Sequence, residues 1–191
     1  EFSLGLVGSE MCIRDRPGGS GADGKKGAGK YLPAGHRFPE LVGSLQYIAS
    51  NVRPEIAQAV GALSRYRENP TTAHWNAGMR VLWYLKGDLD GGIIYGKIVH
   101  PLCGYVDSDY AGDQDTRQST TGFVFLMNGG PVSWCSRKQG TVAGSTVEAE
   151  YLAFHAASKE GRWLSSLLKT MGDPRWGFPW GVITRDVLRI C

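Results

Sequence analysis

The chain has little of what builds metal-sulfur or disulfide scaffolds. Its four cysteines, Cys12, Cys103, Cys135 and Cys191, are far apart, and no CxxC occurs. That spacing argues against a zinc site or a disulfide framework and suits a reducing compartment. His74 has no second ligand at metal-binding spacing, so it reads as a surface or packing residue. No apolar run approaches the roughly 20 residues that a membrane-spanning helix needs. Phe2 to Gly8 is too short to read as a signal peptide. Excess charge is missing too. A net charge of +3 neither proves nor excludes a nucleic-acid partner, which needs only a local basic patch. No internal repeat is visible.

What is present suffices for a core: 42% of the 191 residues are hydrophobic. The length suits one medium domain, or a small domain with an appendage. The chain starts at Glu1 and not at Met, which reads as a fragment. Residues 1–37 are expected to form a disordered tail. Within it, residues 1–16 look foreign, and VGSEMCIRDR resembles a translated sequencing adapter. Residues 17–30, PGGSGADGKKGAGK, bury too little apolar area to offset their ordering entropy and read as a flexible linker.

Residues 38–90 carry helical spacing. Leu41, Leu45 and Ile48 form one stripe, and Ile56, Val60, Leu63 and Tyr66 form a second. Pro54 suits a first helical turn, where its missing N–H is no loss. Asn69-Pro70 stops that helix. Thr71 or Thr72 can cap the next, whose expected buried face is Trp75, Met79, Leu82 and Leu85, with Gly87 as terminator. The expectation is a helical hairpin.

Residues 91–191 read as strands, a helix and a strand. Ile93–Tyr95, Leu102–Val106, Gly122–Met127 and Pro131–Cys135 are strand-like, with a turn at Asn128-Gly-Gly130. A long helix follows over about 146–170, with Ala149, Leu152, Ala153, Ala156, Trp163, Leu164, Leu167 and Leu168 on its apolar side. Val182–Thr184 looks like another strand. This order matches the first half of a ribonuclease-H-like domain, so the expected fold class is α+β, with an incomplete mixed sheet preceded by the helical hairpin.

The acids carry the chemistry. Asp107 ends an apolar strand, Glu150 lies near the start of the long helix, and Asp186 follows the last strand. Carboxylates gathered from such places hold two Mg²⁺ ions roughly 4 Å apart. One ion activates water for attack on a phosphodiester, and the other stabilises the departing oxygen. Hard oxygen ligands suit Mg²⁺, with Mn²⁺ as a substitute. Glu148 and Glu150 lie about 200° apart on a helical wheel, so only one faces the sheet. Glu150 shares its side with Ala153 and is the expected ligand; Glu148 is a solvated or helix-dipole carboxylate. Asp109 and Asp113 read as solvated turn acids.

Several motifs in order carry a resemblance. Leu41-Val-Gly-Ser-Leu45, Arg53-Pro-Glu-Ile56, Leu63-Ser64, Pro70-Thr71, His74-Trp75 and Val81-Leu-Trp-Tyr-Leu-Lys-Gly87 resemble the segment joining reverse transcriptase to ribonuclease H in copia-type LTR retrotransposon Pol polyproteins. Tyr105-Val-Asp-Ser-Asp-Tyr-Ala-Gly-Asp113, Arg117-Gln-Ser-Thr-Thr-Gly122, Gly130-Pro-Val-Ser-Trp134, Ser136-Arg-Lys-Gln139 and Glu148-Ala-Glu-Tyr151 resemble the ribonuclease H domain itself. The resemblance implies an enzyme that hydrolyses the RNA strand of RNA·DNA hybrids, with Asp107 and Glu150 as the first two acids. The family's third acid sits in Cys-Asp-Asn. Thr184-Arg-Asp186-Val187 lacks that cysteine and asparagine, and residues 182–191 equally suit a shifted reading frame. A fourth acid would lie beyond Cys191. The implied partners are an RNA·DNA hybrid and the reverse transcriptase of the same polyprotein, with no membrane. The implied location is a cytoplasmic particle or the nucleus, not outside the cell.

Hybrid duplexes are read through shape, phosphates and 2′-hydroxyls. Arg117, Ser119 and Thr120 between the first two strands, Arg137, Lys138 and Gln139 after the third, and Ser145 before the helix are candidates for backbone contact. A turn role for Ser119 and Thr120, with solvated cations, is equally open. Trp134 and Phe123 read as sheet core. Two other readings compete with a nuclease: a catalytically inactive nucleic-acid-binding remnant, and an artefact without a stable fold.

Overall fold

The computed structural model describes residues 30–96, 101–113, 116–172 and 188–190. The chain divides into two compact units, Glu1–Gly92 and Ile93–Cys191.

In the first unit, α1 spans Phe38–Asn51, a single 3₁₀ turn spans Pro54–Ile56, α2 spans Ala57–Ser64 and α3 spans Thr72–Gly87. The buried stripe of α1 is Phe38, Val42, Leu45 and Ala49. Leu41 and Ile48, expected at its centre, flank it half-buried. Ile56, Val60 and Leu63 are buried as the spacing predicts, but Tyr66 lies beyond α2, is exposed, and stacks on His74 with ring centroids 3.9 Å apart. On α3 the fully buried positions are Gly78 and Val81. Trp75, Leu82 and Leu85 pack at the margin of the core, so the buried face is turned from the expected one. The lack of a Cβ at Gly78 admits Leu41: an added Cβ would stand 2.8 Å from its Cδ2.

Thr71 is the residue that caps α3. The His74 ring returns to it, with Nδ1 accepting the Thr71 N–H at 3.0 Å. Burial pushes the His74 pKa down, which suits an acceptor nitrogen. His74 is therefore a helix-cap residue, in keeping with its reading as a packing histidine.

Arg53 is buried and joins distant parts of this unit. Its Nη1 donates to the carbonyls of Asp88 (3.0 Å) and Gly91 (2.7 Å), its Nη2 to the Asp88 carboxylate (2.9 Å), and its Nε to Glu55. A planar five-donor guanidinium can satisfy such a set at once, and an ammonium cannot.

In the second unit, β1 spans Cys103–Asp109, β2 Thr120–Met127, β3 Gly130–Lys138, α4 Thr146–Thr170 and β4 Leu188–Ile190. The sheet order is β3-β2-β1-β4. Every described pairing is antiparallel. This bears out the α+β class. A helix leading straight into its next strand gives a parallel pair. Here β4 begins well past the end of α4 and pairs with Gly104–Val106 in the opposite sense. The expected strand Val182–Thr184 lies outside the described residues.

β2 and β3 join through Asn128 and Gly129, both at positive φ (51° and 82°), the pattern of a type I′ hairpin. Ile93–Tyr95 is not a strand. It lies against this hairpin instead, with Tyr95 Oη donating to the Pro131 carbonyl at 3.0 Å and the Gly96 N–H donating to Asn128 at 2.9 Å. Cys103 is disulfide-bonded, which corrects the expectation of unpaired cysteines. Pairing follows spatial approach, which spacing along the chain does not reveal. Cys135 is free, and burial pushes its thiol pKa up.

α4 lies across β1 and β2. Ala149, Ala153, Ala157 and Gly161 recur every fourth residue on its buried side, followed by Leu164 and Ser165. Small side chains let the helix sit close to Val106 and Phe125, both fully buried in the same core as Leu102. Phe125 lies over Gly104, where an added Cβ would stand 2.5 Å from the ring. Trp163 and Leu167, expected in the core, are exposed. Four-residue spacing drifts about 40° per step on a 3.6-residue helix, so the buried side shifts as the helix advances.

Candidate acidic site

Three acids of β1 and the following loop have three different surroundings. Asp107 is exposed, and its Oδ1 accepts the Ser108 N–H at 2.8 Å. The Asp109 carboxylate folds against Gly112 so closely that a Cβ there would collide with it. Asp113 is not a solvated turn acid. Its Oδ2 accepts from Lys138 Nζ at 2.7 Å and its Oδ1 from the Thr116 N–H at 3.0 Å. The Lys138 ammonium holds the Asp113 carboxyl well below the usual carboxylate range.

The loop after β1 is closely tied. Ala111 and Arg117 adopt positive φ of 50° and 54°. The Ala111 N–H donates to Ser119 Oγ at 3.1 Å, and the Arg117 N–H to the Asp113 carbonyl at 2.8 Å. Ser119 is fully buried, so it serves this loop and is closed to phosphate, which corrects its reading as a contact residue. Lys138 is committed to Asp113 and is not a solvated cation. Arg117 and Arg137 are exposed, and Thr120 is half-buried.

At the other side of the site, Ser145 is the N-cap of α4. Its Oγ accepts the Glu148 N–H at 3.1 Å, and Glu148 Oε2 accepts the Gly144 N–H at 2.7 Å. Ser145 thus satisfies a donor that the helix start would leave open, and Glu148 ties the residue before the cap back to the first turn. Glu148 thus belongs to the helix terminus, as expected. Glu150 is exposed beside buried Ala149.

Gln139 joins the two sides. It is buried just past β3, and its Nε2 donates to Thr121 Oγ1 at 3.1 Å and to the Ala149 carbonyl at 2.9 Å. Thr121 pairs with Ser108, and Gly122 with Asp107. The start of α4 is therefore fastened at the end of the sheet where β1 carries its acids. This corrects the reading of Gln139 as a phosphate contact, since a glutamine directly after a strand carries no signal of burial.

Val106 packs under α4 with Ala153 and Ala157. Strand residues alternate faces, so Ser108 shares the α4 face and Asp107 leaves the opposite one. Asp107 and Glu150 come to one end of the sheet but from opposite faces. Asp186 lies outside the described residues. Among the described residues, no group of three or more His, Cys, Asp or Glu side chains is placed to hold a metal ion. Asp107 and Glu150 suit Mg²⁺ in kind, as hard oxygen donors. Also among these residues, no helix is long and apolar enough to cross a membrane.

The chain is similar to curated proteins over most of its length. It is 44% identical over 135 residues to the retrovirus-related Pol polyprotein from transposon TNT 1-94 of Nicotiana tabacum, covering 71% of this chain and 10% of the polyprotein. It is 43% identical over 146 residues to the retrovirus-related Pol polyprotein from transposon RE2 of Arabidopsis thaliana, covering 76% of this chain and 10% of the polyprotein. The chain thus spans about a tenth of the length of these two relatives. It is also 44% identical over 129 residues to the secreted RxLR effector protein 161 of Plasmopara viticola, covering 67% of this chain and 91% of that protein. No family model matches, and no solved structure matches.

Proposed function

We propose a function for a chain that belongs to the retrovirus-related Pol polyproteins of transposons: it is a copia-type ribonuclease H segment that grips RNA·DNA hybrids and cuts their RNA strand with Mg²⁺. The carrying observation is the fastening of the start of α4 to β2, at the place where β2 pairs with the end of β1. Through Gln139, the helix turn bearing Glu150 is tied to the strand opposite Asp107. In this reading Asp107 and Glu150 are the first two carboxylates of the site, with Asp186 the proposed third. Mg²⁺, when bound, would supply the charge that activates water and stabilises the leaving oxygen.

The chain's own residues would grip the hybrid. Exposed Arg117 and Arg137 are suited to phosphates, and Ser145 stands at a helix start, where anions are favoured. The reverse transcriptase of the same polyprotein is the proposed partner, and the interior of the cell the proposed location.

The test is a labelled hybrid incubated with the purified chain. RNA-strand cutting is expected with Mg²⁺ and not in EDTA, and Asp107→Asn is expected to abolish it. Cutting that survives in Asp107→Asn would reject the site. A second reading is an inactive hybrid-binding remnant. It is favoured by the opposite faces from which Asp107 and Glu150 arise, and by a relative of which the matched segment makes up 91%. It expects binding in EDTA and no cutting under any metal, and metal-dependent turnover would exclude it.

A further inference from the structure

The first turns of α4 must be held in register for Glu150 to have a fixed place, and their packing gives little grip. Their buried residues are Ala149 and Ala153. Alanines allow close approach but bury little area, and buried area is what apolar attachment scales with. Val147 and Tyr151 are exposed, Leu152 is half-buried, and the first large side chain packed on the core is Phe154, beyond Glu150.

A polar tie does what packing does not. The Gln139 N–H donates to the Ser119 carbonyl at 2.8 Å, and Nε2 reaches both β2 and α4. Gln139 is 8% exposed. Its amide cannot turn over, because the carbonyl oxygen would then face the Ala149 carbonyl, and two acceptors repel. One residue therefore holds the loop before β2 through its backbone N–H, and the strand β2 and the helix α4 through its side chain. Its Oε1 and the nearby Ser108 Oγ are buried without a protein partner. The tie is therefore not a saturated core network but a polar station beside the acids.

We infer that Gln139 is a positioning residue for Glu150: acting through the Ala149 carbonyl, it sets where the start of α4 lies over the β1–β2 end of the sheet. This rests on the ribonuclease H reading for its consequence in activity, but not for its structural content. No contact with substrate is implied.

The experiment uses the full chain with Gln139→Met, which keeps the volume and removes both donors, and with Gln139→Glu. Amide hydrogen exchange is read by segment, corrected for intrinsic rates, beside hybrid affinity in EDTA and RNA-strand cutting in Mg²⁺. Gln139→Met should speed exchange at residues 150–154 by about fivefold to tenfold, the scale of one lost net hydrogen bond, and leave β2 and β3 protected. Hybrid affinity should hold, and kcat should fall with KM unchanged. Gln139→Glu should behave like the methionine variant at about pH 8 and regain protection at about pH 5, where a buried carboxyl is protonated and donates again. Unchanged exchange at residues 150–154, or equally fast exchange throughout the unit, would overturn the inference. So would faster local exchange with an unchanged kcat. A wild-type chain that cuts nothing would refute the ribonuclease reading, while the exchange pattern would still decide the place of Gln139.

Discussion

Replacing Asp113 by asparagine removes one charge from the loop after β1 and leaves its shape nearly intact. The asparagine carbonyl oxygen can still accept from the Thr116 N–H, a contact of 3.0 Å in the native chain. What is lost is the 2.7 Å ion pair with Lys138. A hydrogen bond to a charged group contributes about 1.5–3 kcal/mol. The Lys138 side chain is 23% exposed and can recover part of its hydration, so the lower half of that range applies. A loss of about 2 kcal/mol should move the urea midpoint of the second unit down by about 1 M. The pH dependence gives a sharper test. The folded-state pKa of Asp113 lies below its unfolded value. Such a group stabilises fully above the unfolded value, about 3.9, and its contribution is lost as pH falls toward the folded value. Native chain and variant should therefore differ most near neutral pH and converge in acid. Urea titrations followed by tryptophan fluorescence at several pH values measure this. A difference that stays constant from neutral pH into acid would refute the argument.

Arg117→Ala and Arg137→Ala should each weaken hybrid binding about equally for all sequences. Each should also lower the slope of log affinity against log salt by about 1, as loss of one phosphate contact does; an unchanged slope would remove that arginine from the interface. Arg53→Met should destabilise the first unit by about 2–4 kcal/mol, because the Asp88 and Gly91 carbonyls and the Asp88 carboxylate lose a shared charged donor that is itself buried. A urea midpoint within error of the native one would show that water replaces the guanidinium at no loss.

Elements that rest on local signals were legible. The helix Thr146–Thr170 is long, starts at a serine cap and has a glycine at positive φ soon after its end. The β2–β3 hairpin follows from Asn128-Gly129, which accept positive φ where most residues do not. Readings that rest on tertiary contact were not legible. The buried faces of α3 and α4 depend on what covers them, so Met79 and Trp163 looked as suitable for the core as Val81 or Ala157. Ile93–Tyr95 has strand-forming residues, but its partner is a hairpin turn and not a strand edge. Ser119 looks like any loop serine until the Ala111 N–H is found on its hydroxyl. The direction of β4 was illegible for a simpler reason: a three-residue strand carries no mark of which way its neighbour runs.

The acids after β1 show why composition alone misleads about catalysis. Asp107, Asp109 and Asp113 crowd one short stretch. Their surroundings differ. Asp113 fixes the loop to β3 through Lys138, and Asp109 closes over Gly112. A carboxylate already held by an internal ammonium has little to gain from a cation, because its charge and one oxygen are engaged. Asp107 is turned to solvent, with one oxygen on the Ser108 N–H. The same loop gives Arg117 its fixed, left-handed backbone, which a non-glycine residue keeps only where its surroundings enforce it. The acidic motif thus combines one carboxylate open to a ligand with two that hold the loop around it. Its charge-neutral variants should separate accordingly, Asp107→Asn losing activity without stability and Asp113→Asn losing stability first.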